Sequence, residues 1–460
     1  MKKIIGLLFC ILILASASCL GITQNLEKDN NQLSTQDEDT WVERYYSEKD
    51  EQSRHIEFTS QDWGYIVAGE SGSLFGPGET FQDYKLMKID EMGNEIWSQT
   101  YDNHNGHDWC FSAKQTDDGG YIIVGGSSTY DTDQFDLYVI KTDILGSIEW
   151  EKTYGREGKQ YGRSVIQTSD GGFLIAAQDV PDYPEWENFW LVKLDEYGYI
   201  EWDQEIGDED YLERPYSVIQ TNDGGYAILG YKKPDDQGNE WESYNIWFVK
   251  TDEWGYVEWD REYGEYGGEE GRDFKQTPDG GYIILGETLS IHGTQSYDMI
   301  LIKTDESGEI EWVETYGDRG QETAGSVDLT NDGGYIIAGS FWIPDVNDRN
   351  SHMWMFKTDN RGAREWDHLY CEDLYGGIES AHQTPDGGYI AAATMIEYDS
   401  PFSGEGDCDI VVIKTDSDGD VESVSRAKDN SLSTNKFEKI FQKFPIFERF
   451  LYFLKNMITG

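Results

Sequence analysis

The sequence repeats itself. "QTPDGGYIILGET" (Gln276–Thr288) has near-copies starting at Gln115, Gln167, Gln220, Leu329 and Gln383. The second glycine of each pair falls at Gly120, Gly172, Gly225, Gly281, Gly334 and Gly388, in steps of 52, 53, 56, 53 and 54 residues. A degenerate copy, "SQDWGYIVAGE", puts Gly64 another 56 residues upstream and brings the copies to seven. A fixed period of this length is the signature of a repeat architecture, in which each unit needs its neighbours to bury its apolar face.

A second motif travels with the first. "IKTDILGSIEW", "VKLDEYGYIEW", "IKTDESGEIEW" and their copies set Asp90, Asp143, Asp195, Asp252, Asp305, Asp359 and Asp416 at one position. Six of the seven copies end in tryptophan: Trp97, Trp150, Trp202, Trp259, Trp312 and Trp366. Each unit divides into four strand-like runs, for example "RSVIQT", "GFLIAA", "FWLVKL" and "YIEWDQEI", bounded by Gly or Asp. "SDGG" and "DEYG" have hairpin length; Gly supplies positive φ, and Asp can accept from a following N–H. The 3.6-residue helical period is absent. Four antiparallel strands repeated seven times predict an all-β fold, a seven-bladed β-propeller over 40–425. The Asp-Gly-Gly stretch is then a hairpin turn used once per blade, since it lacks the alternating acids of a calcium loop. "TWVERYYSEKD" from Thr40 matches "EWVETYGDRGQ" from Glu311, whereas the last outer run, Val421–Val424, has no tryptophan. Trp41–Tyr45 is therefore expected to complete the seventh blade and close the ring.

The layout over 40–424 resembles the propeller superfamily of quinoprotein alcohol dehydrogenases and their non-catalytic relatives. Gly308-Glu309-Ile310-Glu311-Trp312 is similar to the Gly-x-x-x-Trp half of that superfamily's tryptophan-docking repeat, although the Asp-to-Gly step here is one residue shorter. The resemblance implies that the Asp-Gly-Gly and Lys-Thr-Asp turns share one face and the variable connections share the other. The vicinal cysteine pair that the dehydrogenases often place against their quinone is missing, which favours a non-catalytic relative. WD-repeat propellers have a similar strand order, but their Gly-His and Trp-Asp signatures are not found.

Aromatic residues at 14% supply core volume, and 50 glycines suit many tight turns. A formal net charge of −53 repels phosphates and anionic lipid from the main body, so no nucleic-acid partner is expected and a soluble monomer is. Residues 1–21 read as an export signal: Lys2 and Lys3, the apolar run Ile4–Leu14, then the small residues Ala15–Ser18. Cys19 follows; either it carries a lipid anchor or cleavage falls near Ala17. A polar linker covers 22–39, and the mature chain is expected outside the cytoplasm, secreted or anchored at the cell surface. Of the remaining cysteines, Cys110, Cys371 and Cys408, a Cys371–Cys408 disulfide between adjacent blades is expected. Beyond a second linker, 426–435, Lys436–Gly460 forms a basic, aromatic tail with apolar residues near helical spacing, interrupted by Pro445. It suits contact with a membrane surface, sorting or a partner; the alternative is packing on its own acidic propeller.

Loops that vary on a repeated scaffold usually hold specificity. "QDVPDYPEWEN", "YKKPDDQGNEWESYN" and "SFWIPDVNDRNSH" place Trp186, Trp241 and Trp342 beside acids and amides, a mixture that suits a sugar face or a peptide. Aligning the innermost strands brings Arg54, Phe111, Arg163, Tyr216, Arg272, Gly325 and Glu379 to one position, expected near the top rim of the channel. Three arginines on alternate blades can hold a carboxylate, sulfate or uronate by bidentate contact, or each can neutralise nearby acids. "DNHNGHDWC" gathers His104, His107, Asp108 and Cys110 in one top loop, either as zinc or copper ligands or as a solvated loop. No cofactor beyond such an ion is expected. No Gly-x-Ser-x-Gly or His-Glu-x-x-His occurs. The expected function is binding of an extracellular glycan, peptide, protein or anionic group through the top face. A glycan-active hydrolase or lyase using top-face carboxylates is the alternative, and a quinoprotein-like dehydrogenase comes third. Two facing carboxylates about 5–10 Å apart, one of them buried, would mark the hydrolase.

Overall fold

Runs of β-branched and aromatic residues alternate with Asp-Gly turns along the whole repeat, and in the computed structural model those runs are strands. The described residues are 40–47, 49–72, 82–103, 106–128, 134–182, 186–208, 210–234, 244–264, 268–289, 296–317, 320–342, 351–370, 375–398 and 406–421. They all belong to the second of the chain's two units, Asp39–Gly460; the first is Met1–Glu38. Every helix or strand element among them is a strand, and the strands form seven four-stranded antiparallel sheets. The export segment, both linkers, Cys19 and the tail Lys436–Gly460 lie outside the described residues.

Six blades use consecutive strands. In blade four, Tyr211–Gln220, Tyr226–Pro234, Asn245–Thr251 and Val257–Tyr263 run from the inner edge to the outer. The seventh takes Tyr375–Gln383, Tyr389–Tyr398 and Gly406–Thr415 from the end of the propeller and Trp41–Tyr45 from its start. Trp41 lies opposite Lys414 and Tyr45 opposite Ile410, so the closing strand is the one the sequence predicts.

The Asp-Gly-Gly turn holds its blade together by a fixed set of contacts. In blade four, Thr221 N–H donates to Gly225 O at 2.9 Å and Gly224 N–H to Thr221 O at 2.9 Å. Gly224 has φ 90°, a left-handed conformation that costs glycine little. Asp223 Oδ1 accepts from the Thr221 hydroxyl at 2.5 Å and from Gly225 N–H at 3.1 Å. The buried Lys250 ammonium then bridges Asp223 at 2.9 Å and Glu258 at 3.0 Å. Lys141, Lys193, Lys303 and Lys357 repeat this bridge, so part of the acidic excess is absorbed blade by blade.

The tryptophan motif fastens one blade to the next. Trp97, on the outer strand Glu95–Tyr101 of blade one, lies against Gly146 in the outer hairpin of blade two; a Cβ there would come within 2.8 Å of its ring. Tyr101 donates its hydroxyl to Gly146 O at 2.7 Å. At the seam the same contacts recur: Trp41 packs on Gly93, and the Tyr45 hydroxyl donates to Gly93 O at 2.8 Å. Between blades one and two the core comprises Ile66, Leu86, Tyr84, Tyr121 and Ile140 among others, and similar apolar clusters fill the other six interfaces. The middle strands of each blade are covered on both faces, which is why Phe173–Val180 reads as a nearly continuous buried run.

Candidate functional site

The seven inner strands share an irregularity that their sequences do not announce. Each slips register by one residue, at Arg54, Phe111, Arg163, Tyr216, Arg272, Gly325 and Glu379. The position singled out by alignment is thus a β-bulge in every blade, a device that re-aims one side chain per strand. Arg54 and Arg163 are central residues of the nine-residue strands Asp50–Phe58 and Lys159–Gln167, and Arg272 is the third residue of Glu270–Gln276.

The ring members touch across blades. The Arg163 guanidinium lies over the Phe111 ring at 4.2 Å, and that of Arg272 over Tyr216 at 4.8 Å. Each arginine also faces the second strand of its own blade, and here the three differ. Arg54 approaches Glu70 at 3.5 Å. Arg272 forks onto Glu287, with Nε and Nη2 donating at 3.2 and 3.3 Å, and meets Glu270 at 3.1 Å. At the equivalent position Arg163 meets an amide: Nε and Nη2 both donate to Gln178 Oε1, at 3.1 and 2.6 Å. No carboxylate lies within ion-pair distance of Arg163 among the described residues.

Electrostatics follow this pattern. For Arg54 and Arg272, burial works against the charge, but Glu70 and Glu287 outweigh it and the guanidinium is held more firmly protonated than usual. Burial, joined by the nearby Arg214, pushes Arg163 down to about 10. Arg214 has its own carboxylate, Glu187, at 3.1 Å. Glu70 and Glu287 are pushed up by burial against the pull of their arginines.

Beyond the bulge the channel is self-paired. Ser112, Ser164 and Ser326 accept N–H donors from Val165, Val218 and Ala381 of the next blade. Further along, His382 meets Asp328 at 2.9 Å, Lys275 meets Asp273 at 2.7 Å, and Lys114 lies 3.4 Å from His55. Sequence reasoning missed this charged group, whose members come from separate inner strands.

The other expected residues are dispersed. Trp186 and Trp342 are half-buried beside variable loops; Trp241, His104 and Cys371 lie outside the described residues. The strand of blade two starts at Asp108, so Asp108 and Cys110 are strand residues and not part of the loop with His107. Cys110 is buried among Tyr84, Ala113 and Tyr138, and burial pushes its thiol up. Cys408 lies within the third strand Gly406–Thr415 of blade seven, and its N–H donates to Asp50 Oδ1 at 3.2 Å.

No family model matches the sequence, and no curated protein is similar to it. Similar solved structures include an ulvan lyase from a family of polysaccharide lyases, at 10% identity over 82% of this chain and 97% of that one, with a TM-score of 0.49. Sqt1 from Chaetomium thermophilum is 11% identical over 80% of this chain and 97% of its own, TM-score 0.45. A protein of unknown function from Bacteroides caccae is 11% identical over 66% and 93%, TM-score 0.40. Likenesses this distant carry no argument about activity.

Proposed function

We propose that this protein is an extracytoplasmic binding propeller whose channel takes an acidic group, a carboxylate or sulfate borne by a glycan or peptide, against Arg163. One observation carries the reading. At three equivalent bulges the cross-strand partner of arginine is Glu70, Gln178 and Glu287, so Arg163 alone of the three has no carboxylate within ion-pair distance among the described residues. In a chain of net charge −53, a guanidinium stacked on Phe111 and left without a carboxylate is a suitable place for an incoming anion. Phe111 and Tyr161 give aromatic faces beside it, at 4.2 and 5.5 Å from the guanidinium. Export rests on the N-terminal signal-like segment. The packing of tryptophan on glycine from blade to blade supports kinship with non-catalytic members of the quinoprotein alcohol dehydrogenase-like propellers. The hydrolase reading has less support, because Glu70 and Glu287, the channel carboxylates pushed up by burial, are each held by an arginine.

The test is a screen of sulfated, uronate-bearing and neutral oligosaccharides and of acidic peptides, repeated with Arg163→Gln and Gln178→Glu. The second change supplies the internal carboxylate that blades one and five already have. Both are expected to weaken binding of the anionic ligands by roughly 10–100-fold, the loss of a charge-assisted hydrogen bond. Undiminished binding by both variants would overturn the assignment.

A further inference from the structure

We infer that Asp83, Asp102 and Asp108 form a binding site for a divalent cation of the calcium type, on the loop face between blades one and two. Each offers one carboxylate oxygen within 4.8 Å of those of the other two. They come from three segments: Asp83 opens the third strand of blade one, Asp102 follows its outer strand, and Asp108 opens the inner strand of blade two.

Three neighbouring acids alone would be ordinary on so acidic a surface. Asp108 is what sets this group apart. It is 0% exposed, and its Oδ2 accepts the Asn103 N–H at 2.7 Å. Its Oδ1 is buried without a hydrogen-bond partner. A buried carboxylate with one oxygen left without a donor, beside two further carboxylates, is unfavourable as an anion unless a proton or a metal cation joins it. Burial pushes Asp108 up to about 7, although the Asn103 N–H and the nearby Ser127 ease its charge; neither bonds to Oδ1. Burial and the neighbouring Asp102 push Asp83 up as well, against Lys49. That lysine is 3.6 Å from Asp83 and 57% exposed, so it can swing away when an ion enters.

The other blades show that the fold does not require this group. The residue matching Asp102 is Gly155, Gly207, Gly264 or Gly317, and a Cβ there would come within 2.2–2.4 Å of a side-chain oxygen of Asp136, Asn188, Asn245 or Asp298. Those four residues match Asp83. In those four blades, then, a glycine makes room for one polar side chain; here a second carboxylate stands in its place. The donor set is all oxygen and negatively charged, which suits a hard cation whose remaining coordination positions are filled by water. A bound ion would fasten the crossing between blades one and two at the start of the strand that carries Phe111.

The test uses the full chain stripped with chelator, titrated with calcium chloride at constant ionic strength and followed by calorimetry and thermal melting, with magnesium for comparison. One ion per chain and a rise in Tm are expected. Asp102→Gly installs the residue of four other blades; it is expected to leave the ion-free Tm unchanged or higher and to weaken calcium binding at least tenfold. Asp108→Asn keeps an acceptor for the Asn103 N–H and is expected to weaken it similarly. The inference is overturned if the unaltered chain shows neither heat nor a Tm shift at ~10 mM calcium, above the range of extracellular modules. It is equally overturned if Asp102→Gly responds as the unaltered chain does, which would assign the effect to the acidic surface as a whole.

Discussion

Glu213 occupies the same place in its inner strand as Gln160 does one blade earlier. Both side chains cap the incoming loop: Asp208 N–H donates to Glu213 at 3.3 Å, and Arg156 N–H to Gln160 at 2.9 Å. The difference is charge. Glu213 is 0% exposed, its Oε2 has no hydrogen-bond partner, and burial pushes the carboxyl up to about 7 despite Lys232 at 3.6 Å. The folded carboxyl therefore holds its proton more tightly than the unfolded chain does. Ionising it costs stability fully above pH 7, and this cost vanishes below the usual glutamate value near 4.3. Glu213→Gln is expected to stabilise by about 1–3 kcal/mol at pH 8, with the gain fading to nothing near pH 4. Lys232 keeps Asp208 at 2.6 Å in the variant. Denaturant titrations at the two pH values decide it, and a gain independent of pH would rule out burial as the cause. The same scale limits what the sequence reveals about the binding site. Alignment finds Arg54, Arg163 and Arg272, but the contrast between Glu70, Gln178 and Glu287 emerges only once Gln52, Tyr161 and Glu270 are paired across the sheet.

At the level of the strand and its turn, repetition makes the chain legible. The Asp-Gly-Gly turn, the lysine strand and the tryptophan strand each recur with one set of contacts, and blade one departs where its sequence does: Trp63 takes φ 48° where the other blades have glycine. Two kinds of turn glycine can be told apart by measurement. Gly224 has positive φ with nothing within 4 Å of an added Cβ, whereas Gly146 has positive φ and the Trp97 ring at 2.8 Å. Gly224→Ala is expected to cost about 1 kcal/mol, the backbone term alone. Gly146→Ala is expected to cost about 1–3 kcal/mol more, from overpacking against Trp97. In a Trp97→Ala background the excess should disappear; an excess that persists would mean that the tryptophan does not dock on this glycine. Irregular elements are less legible. The Asp83, Asp102 and Asp108 group joins three segments that lie apart in the sequence. The available signal was Tyr101-Asp102 standing where other copies read Tyr154-Gly155 or Tyr263-Gly264.

A ring of blades has one seam, and its strength depends on how the ends of the propeller meet. The first strand was recognisable because Trp41 repeats the outer-strand tryptophan, and its place beside Gly406–Thr415 follows from the missing tryptophan at the other end. Trp41 and Tyr45 contact blade one, to which they are already linked along the chain, so these contacts alone cannot hold the seam shut. The pairing with Gly406–Thr415 does that together with the apolar contact of blade one on blade seven, and Arg44 ties the strand pair: its Nε donates to Asp409 Oδ2 at 2.7 Å and Nη2 lies 2.5 Å from the same oxygen. The Asp409 side chain is 4% exposed and that of Arg44 19%, so the pair is largely desolvated. Removing the guanidinium leaves a buried carboxylate short of its counter-charge, at a cost of about 3–5 kcal/mol. Arg44→Met keeps most of the apolar stem and is expected to show that loss, mainly as faster unfolding, because opening the seam is the shortest route from a closed ring to a disordered one. Adding Asp409→Asn removes the stranded charge and is expected to restore part of the stability. Stopped-flow unfolding of the three proteins tests the argument: if Arg44→Met unfolds at the unaltered rate, the ring is held elsewhere, and if the double variant is no more stable than the single one, the cost lies in lost packing and not in the buried charge.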